Sequence, residues 1–225
     1  MNILQKKELW NIFCKNNNIL DNSVQLFDNK DLYVSTKTIG NQSQRLILNR
    51  SSHMEGLVNT EVNKIVEDFH HNTFLYDGLI YLMFFKNESE IIPLYIGKAE
   101  KYGKQNKNLS YNLNFGNSRN AFARWGDNYA YHIGDLSAVV LPGHIDKYKT
   151  IKYSSWADKL FETYPSEQPK LKQEVFFWCK SWGKNDINIW QEYGEVKLTF
   201  LEYLLIGVAS DVFPNDLLNT EGQNR

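Results

Sequence analysis

Gly78-Leu79-Ile80-Tyr81-Leu82-Met83-Phe84-Phe85, then Lys86-Asn87-Glu88-Ser89-Glu90, then Ile91-Ile92-Pro93-Leu94-Tyr95-Ile96-Gly97 run without a break in this chain. The outer segments are apolar and rich in β-branched and aromatic residues, and the middle one is polar. The stretch therefore reads as two antiparallel strands joined by a five-residue loop. If Phe85 faces Ile91 across that loop, Tyr81 directly faces Tyr95, and two phenols converge beside Gly97. A cross-strand tyrosine pair is also a common structural device, because packed aromatic rings stabilise a sheet. The hairpin alone leaves both readings open.

Two further segments carry chemistry-bearing residues. Phe122-Ala123-Arg124-Trp125-Gly126 has helical spacing, with Asn120, Arg124 and Asn128 on one face and Phe122 and Trp125 opposite. An arginine on a polar stripe suits a phosphate, since guanidinium stays charged and offers a planar fork of donors. Arg119 is the alternative and lies off that stripe. In Thr199-Phe200-Leu201-Glu202-Tyr203-Leu204-Leu205-Ile206, an apolar stripe of Leu201, Leu204, Leu205 and Val208 has Glu202 on its border. Thr199 and Glu202 also fit a capping box, in which the carboxylate serves only the helix start. Leu136 to Leu141 and Glu174 to Lys180 each read as a candidate third strand.

Before residue 74, Leu9, Ile12 and Phe13, and later Val62, Ile65, Val66 and Phe69, predict two amphipathic helices. Between them, Leu26 to Leu48 is turn-rich with short strand-like pieces. Residues 1–73 thus read as an extension before the hairpin, and about 142–173, with Tyr148, Tyr153, Trp156 and Pro165, as an insertion.

Composition bounds the partners. The 225 residues carry 25 basic and 26 acidic side chains, which excludes coating of nucleic acid through bulk charge. Charge is nevertheless segregated. Between 98 and 128, Lys98, Lys101, Lys104, Lys107, Arg119 and Arg124 outnumber Glu100 and Asp127, whereas Glu195, Glu202, Asp211, Asp216 and Glu221 dominate the C-terminal segment. A basic stretch that contacts phosphates and an acidic one that supplies a metal ligand would show this pattern; so would ordinary solvated surface. Two distant cysteines, Cys14 and Cys179, provide neither a disulfide framework nor a zinc site. The charged start, with Lys6, Lys7 and Glu8, and the lack of an eighteen-residue apolar run lead to the expectation of a cytoplasmic protein with no membrane contact.

Gly78-Leu79-Ile80-Tyr81 followed by Pro93-Leu94-Tyr95-Ile96-Gly97-Lys98-Ala99 resembles the paired motifs of the GIY-YIG nucleases, and the second motif is similar to that of their restriction endonucleases. The first departs by one residue, Gly78 lying three positions before Tyr81 instead of two. The family's later landmarks are matched in order by Arg124, Glu202 and Asn219, the last within Phe213-Pro214-Asn215-Asp216-Leu217-Leu218-Asn219. Where relatives often carry a histidine one turn after the arginine, this chain has Asn128, with His132 a further turn along.

The resemblance implies an α+β fold, a small antiparallel central sheet flanked by helices, with a catalytic domain over 74–225. It implies hydrolysis of DNA phosphodiesters with Tyr81 or Tyr95 as general base, Arg124 on the phosphate, and one Mg²⁺ or Mn²⁺ held by Glu202. A phenol is a poor base near neutrality, so Lys98 is proposed to favour its phenolate; a solvated surface lysine is the plain alternative. Lys101, Lys104, Lys107, Arg119 and Asn128 are candidate DNA contacts. The implied partners are double-stranded DNA, a second copy of the chain, since a palindromic site offers two equivalent strands, and a DNA methyltransferase of the same specificity. An inactive nucleic-acid-binding scaffold and a repair or homing nuclease are the alternative functions.

Overall fold

Among the described residues, the elements run in the order α1 (Ile3–Asn16), β1 (Val24–Gln25), β2 (Asn29–Lys30), β3 (Tyr33–Val34), β4 (Thr36–Ile39), β5 (Arg45–Leu48), α2 (Ser52–His71), β6 (Tyr76–Asn87), β7 (Glu90–Glu100), α3 (Ile133–Val140), α4 (Ile151–Leu160), β8 (Phe176–Gly183) and α5 (Leu198–Val212). This computed structural model describes residues 1–39, 45–103, 108–110, 113, 132–146, 149–186, 189 and 194–224. The chain is α+β, with a four-stranded antiparallel sheet of order β1-β8-β6-β7 flanked by helices. It divides into two units, one of 1–24, 56–113 and 176–225, the other of 25–55 and 114–175.

In the first unit, α1 and α5 pack together and cover one sheet face. Ile80, Leu82 and Phe84 of β6, Ile96 of β7, and Trp178 and Trp182 of β8 meet Trp10 and Phe13 of α1 and Leu201 and Leu205 of α5. The strand residues all have the parity that period-two alternation assigns to one face. The segment read as Glu174 to Lys180 supplies the third strand, β8, which pairs along β6 from Tyr76 to Phe84.

The sheet's open backbone is closed by side chains, on β7 at one side and on β8 beyond the two-residue β1 at the other, which hinders edge-to-edge pairing. On β8, the Ser181 amide donates to Glu61 of α2 at 2.8 Å and the Gly183 amide to Asp186 at 2.7 Å. On β7, Asn219 accepts from the Ile96 amide at 2.9 Å and donates to the Ile96 carbonyl at 2.8 Å. Two residues further along β7, the Lys98 amide donates to the Glu202 carboxylate.

The second unit contains the hairpins β2–β3 and β4–β5 and the packed helices α3 and α4. Here one expectation is corrected: Leu136 to Leu141, read as a strand, lies largely in helix α3. The run Leu136-Ser137-Ala138-Val139-Val140 is buried throughout, so its apolar pattern carries no periodicity to separate helix from strand.

The hairpin register is also corrected. The loop is two residues, Glu88 and Ser89, so that Asn87 pairs with Glu90 and Phe85 with Ile92 instead of Ile91. A bulge between Met83 and Phe84 then leaves Leu94 without a partner beside Pro93, which has no amide to give. The two one-residue shifts add, and Tyr81 faces Gly97 while Tyr95 faces Met83. A shift of two keeps every side chain on its face, so the tyrosines still converge, as diagonal neighbours.

Candidate active site

The site forms where β6, β7 and α5 meet. Tyr81 is 6% exposed, its ring packed between Tyr95, at 6.1 Å between centroids, and Phe177, at 6.0 Å. The Tyr81 ring lies directly over Gly97: a Cβ there would fall 2.4 Å from both Cζ and Oη of Tyr81. Glycine at this position is therefore a steric requirement of the tyrosine. Gly97→Ala is expected to cost about 1–3 kcal/mol through overpacking and to displace the Tyr81 hydroxyl; a urea melt equal to wild type would remove this account. Gly78 has a comparable role, since a Cβ would meet the Ala99 carbonyl oxygen at 2.3 Å and Leu198 at 2.7 Å.

Glu202 is half-buried on α5, one residue past the buried Leu201. Burial pushes its carboxyl up to about 7; the Lys98 ammonium and amide oppose that rise, while the negative charges of Glu100 and Glu221 add to it. The capping box does not form. Helix α5 begins at Leu198 behind Lys197, no side chain caps it, and Thr199 donates instead to Glu100 at 2.6 Å. The structural role Glu202 does have is on the Lys98 amide, at the sheet edge.

Tyr95 is held above its usual range, at about 12. Burial raises it first, Glu202 next, and Glu221 last, against a lowering hydrogen bond with Tyr81. The Lys98 ammonium pairs with Glu100 at 2.5 Å, and the two charges that act on Tyr95, those of Glu202 and Glu221, are negative.

Among the predicted site residues, the structure brings Tyr81, Tyr95, Lys98 and Glu202 together. Asn219 reaches the same place, but both ends of its amide are engaged by Ile96, so it fixes the C-terminal segment beside Tyr95. Arg124, Arg119, Asn128, Lys104 and Lys107 lie outside the described residues. Lys101 is a correction. It is 0% exposed and paired with Asp68 at 2.5 Å, which leaves it no surface to present to a phosphate.

Glu221 and Glu100 are the participants that sequence reasoning missed. Glu221 sits in an aperiodic tail, placed by packing of Gly222 on Tyr203 and by a hydrogen bond from the Asn224 amide to Ser210. The sequence places it in the acidic C-terminal segment but gives no spacing that sets it beside Glu202.

The carboxylates fit a hard divalent cation. Glu202 is desolvated, with the like charges of Glu100 and Glu221 as well as the Lys98 ammonium near it; a cation would relieve the desolvation and the like charge, and Mg²⁺ takes anionic oxygen while keeping several waters. Among the described residues no group of three or more His, Cys, Asp or Glu is placed to hold a metal, so water and substrate oxygens would complete the shell. No helix among the described residues is long and apolar enough to cross a membrane. No protein family, curated protein or solved structure matches this chain.

Proposed function

We propose that this chain is a metal-dependent endonuclease of the GIY-YIG type, cutting double-stranded DNA at specific sequences in the manner of restriction enzymes. The observation that carries the reading is the seating of Tyr81 on Gly97, with Tyr95 beside it and Glu202 bonded to the next amide, that of Lys98. Phosphodiester hydrolysis needs a base for the attacking water, positive charge on the phosphate, and stabilisation of the leaving alkoxide. In this reading Tyr81 or Tyr95 takes the proton, Arg124 holds the phosphate oxygens, and Glu202 holds Mg²⁺ or Mn²⁺. The bound metal supplies Lewis-acid stabilisation on the leaving side. The protein works in the cytoplasm, as a homodimer, alongside a methyltransferase that protects the same sequence.

A second reading has one observation in its favour. Burial, reinforced by the negative charges of Glu202 and Glu221, holds Tyr95 near 12 and opposes its use as a base, as an inactive nucleic-acid-binding scaffold would tolerate. Incubation of plasmid DNA with the purified chain and Mg²⁺ decides between them: discrete fragments support the nuclease, and binding without cleavage supports the scaffold.

Tyr95→Phe and Arg124→Ala are each expected to slow cleavage by about a hundredfold or more, the usual loss for a general base or a charge-stabilising donor. A phenol that must ionise also makes the rate climb with pH below its pKa. Loss of that climb in Tyr95→Phe assigns the base to Tyr95, and its persistence assigns it to Tyr81. If Arg119→Ala is inactive while Arg124→Ala cuts normally, the phosphate ligand is Arg119.

A further inference from the structure

The turn between α2 and β6 displays two adjacent large apolar side chains, Phe74 at 58% exposure and Leu75 at 55%. The backbone that displays them is strained. Asn72 and Phe74 have φ of +53° and +56°, a left-handed conformation that a bulky residue such as Phe rarely adopts. A strained segment persists only where its surroundings over-determine it. Here the brace is Asp68, whose carboxylate accepts from Thr73 Oγ1 at 2.5 Å, the Leu75 amide at 2.8 Å, the Tyr76 amide at 3.0 Å and Lys101 Nζ at 2.5 Å. The buried Lys101 ammonium also lies 5.5 Å from the Phe74 ring and 5.1 Å from that of Tyr102. A buried ion pair and a strained turn are thus maintained beneath two side chains that contribute little to the core.

We infer that Phe74 and Leu75 form a wedge that inserts between base pairs of duplex DNA from the minor-groove side. The inference rests on the reading of the chain as a DNA-cutting enzyme. Apolar side chains on a rigid projection are what partial unstacking of a base step requires. Two projecting residues are too few for a protein interface, which needs roughly 800 Å² on each partner. Their surroundings are polar: His70, His71 and Asn72 are exposed, while the Thr73 hydroxyl and amide are both given to Asp68. The turn also lies at the catalytic end of the hairpin, since Gly78, three residues after Leu75, pairs with Glu100, two residues after Lys98. The wedge would bend the duplex next to the scissile phosphate.

The test is the double variant Phe74→Gly with Leu75→Ala, on the full chain in Ca²⁺ to hold back cleavage. Glycine relieves the left-handed strain, so the melting temperature is expected to stay level or rise, whereas a core role for Phe74 would lower it. Affinity for a fluorescently labelled 30-base-pair duplex is expected to fall about tenfold or more, the scale of one lost base-stacking contact. 2-Aminopurine placed at successive positions in that duplex should brighten when wild type binds, and stay dark with the variant. Wild-type affinity and brightening in the variant overturn the wedge. So does a variant that binds DNA normally but no longer self-associates in sedimentation, which would make the turn a protein contact. A wild-type chain that neither binds duplex DNA nor cuts plasmid fails at the earlier step, the nuclease reading itself, and is distinguished by that.

Discussion

Glu202→Gln is expected to bind DNA normally and to cut it at least about a hundredfold more slowly in Mg²⁺. Losing the anionic oxygen removes the strongest metal donor the site offers, and Mg²⁺ compensates poorly with a neutral amide. The substitution discriminates well because glutamine keeps a carbonyl oxygen able to accept from the Lys98 amide, so the sheet-edge role of Glu202 survives. Stability should therefore change little while cleavage collapses. Thr199→Ala is the control: it removes a hydrogen bond to Glu100, leaves Glu202 in place, and should cost no more than about 1 kcal/mol. Cleavage at the wild-type rate by Glu202→Gln in low Mg²⁺ would end the role of Glu202 as metal ligand and leave the inactive scaffold as the better reading.

The pH dependence adds a check that needs no DNA. The Glu202 carboxyl is raised from 4.5 to about 7, so the folded chain binds this proton more tightly than the unfolded one. The associated stability is complete below about pH 4.5 and lost as pH rises through 7. Without metal, the melting temperature should sag over that window. Added Mg²⁺ should restore it increasingly toward alkaline pH, because metal and proton compete for one carboxylate. In Glu202→Gln both the sag and the restoration should vanish.

How far the site was legible depends on which physical signal each residue left in the sequence. Tyr81 and Tyr95 were placed on one face correctly although the register was wrong, because parity along a strand survives a shift of two and the tight turn and the bulge each contributed one. Helices α1, α2 and α5 were visible as apolar periodicity. Helix α3 was not, being apolar on every side. The capping-box spacing of Thr199 and Glu202 left the role of Glu202 open in the sequence, but the helix begins one residue before Thr199 and the threonine turns to Glu100, 99 positions away in the chain. Contacts of that range have no local signature. Glu221 belongs to the same class.

Lys101 is the instructive failure, and its mutation carries the second large effect: Lys101→Met should destabilise the fold by about 3–5 kcal/mol, since it strands a buried carboxylate without its cation. Lys98, Lys101, Lys104 and Lys107 read together as a basic stretch, yet the alternation of β7, carried one residue on, already separates Lys98 from Lys101. Gly97 and Ala99 are buried and Lys98 and Glu100 point away, so the next inward position is Lys101. Its partner Asp68 is 33 residues upstream on α2, where nothing announces the pairing. Burial raises the Asp68 carboxyl, but Lys101, Thr73 and the amides of Leu75 and Tyr76 outweigh it and hold it at about 2, below its ordinary 3.8. That stability is present above about pH 4 and drains away as pH falls through 2. Lys101→Met should therefore lose most against wild type near neutrality and much less in acid. The double variant Asp68→Asn with Lys101→Met should recover part of the loss, because replacing both charges removes the stranded one. Urea melts at pH 7 and pH 3 measure all of this. A Lys101→Met protein as stable as wild type but weakened in DNA binding would return Lys101 to the phosphate-contacting surface and take the brace away from the Phe74 turn.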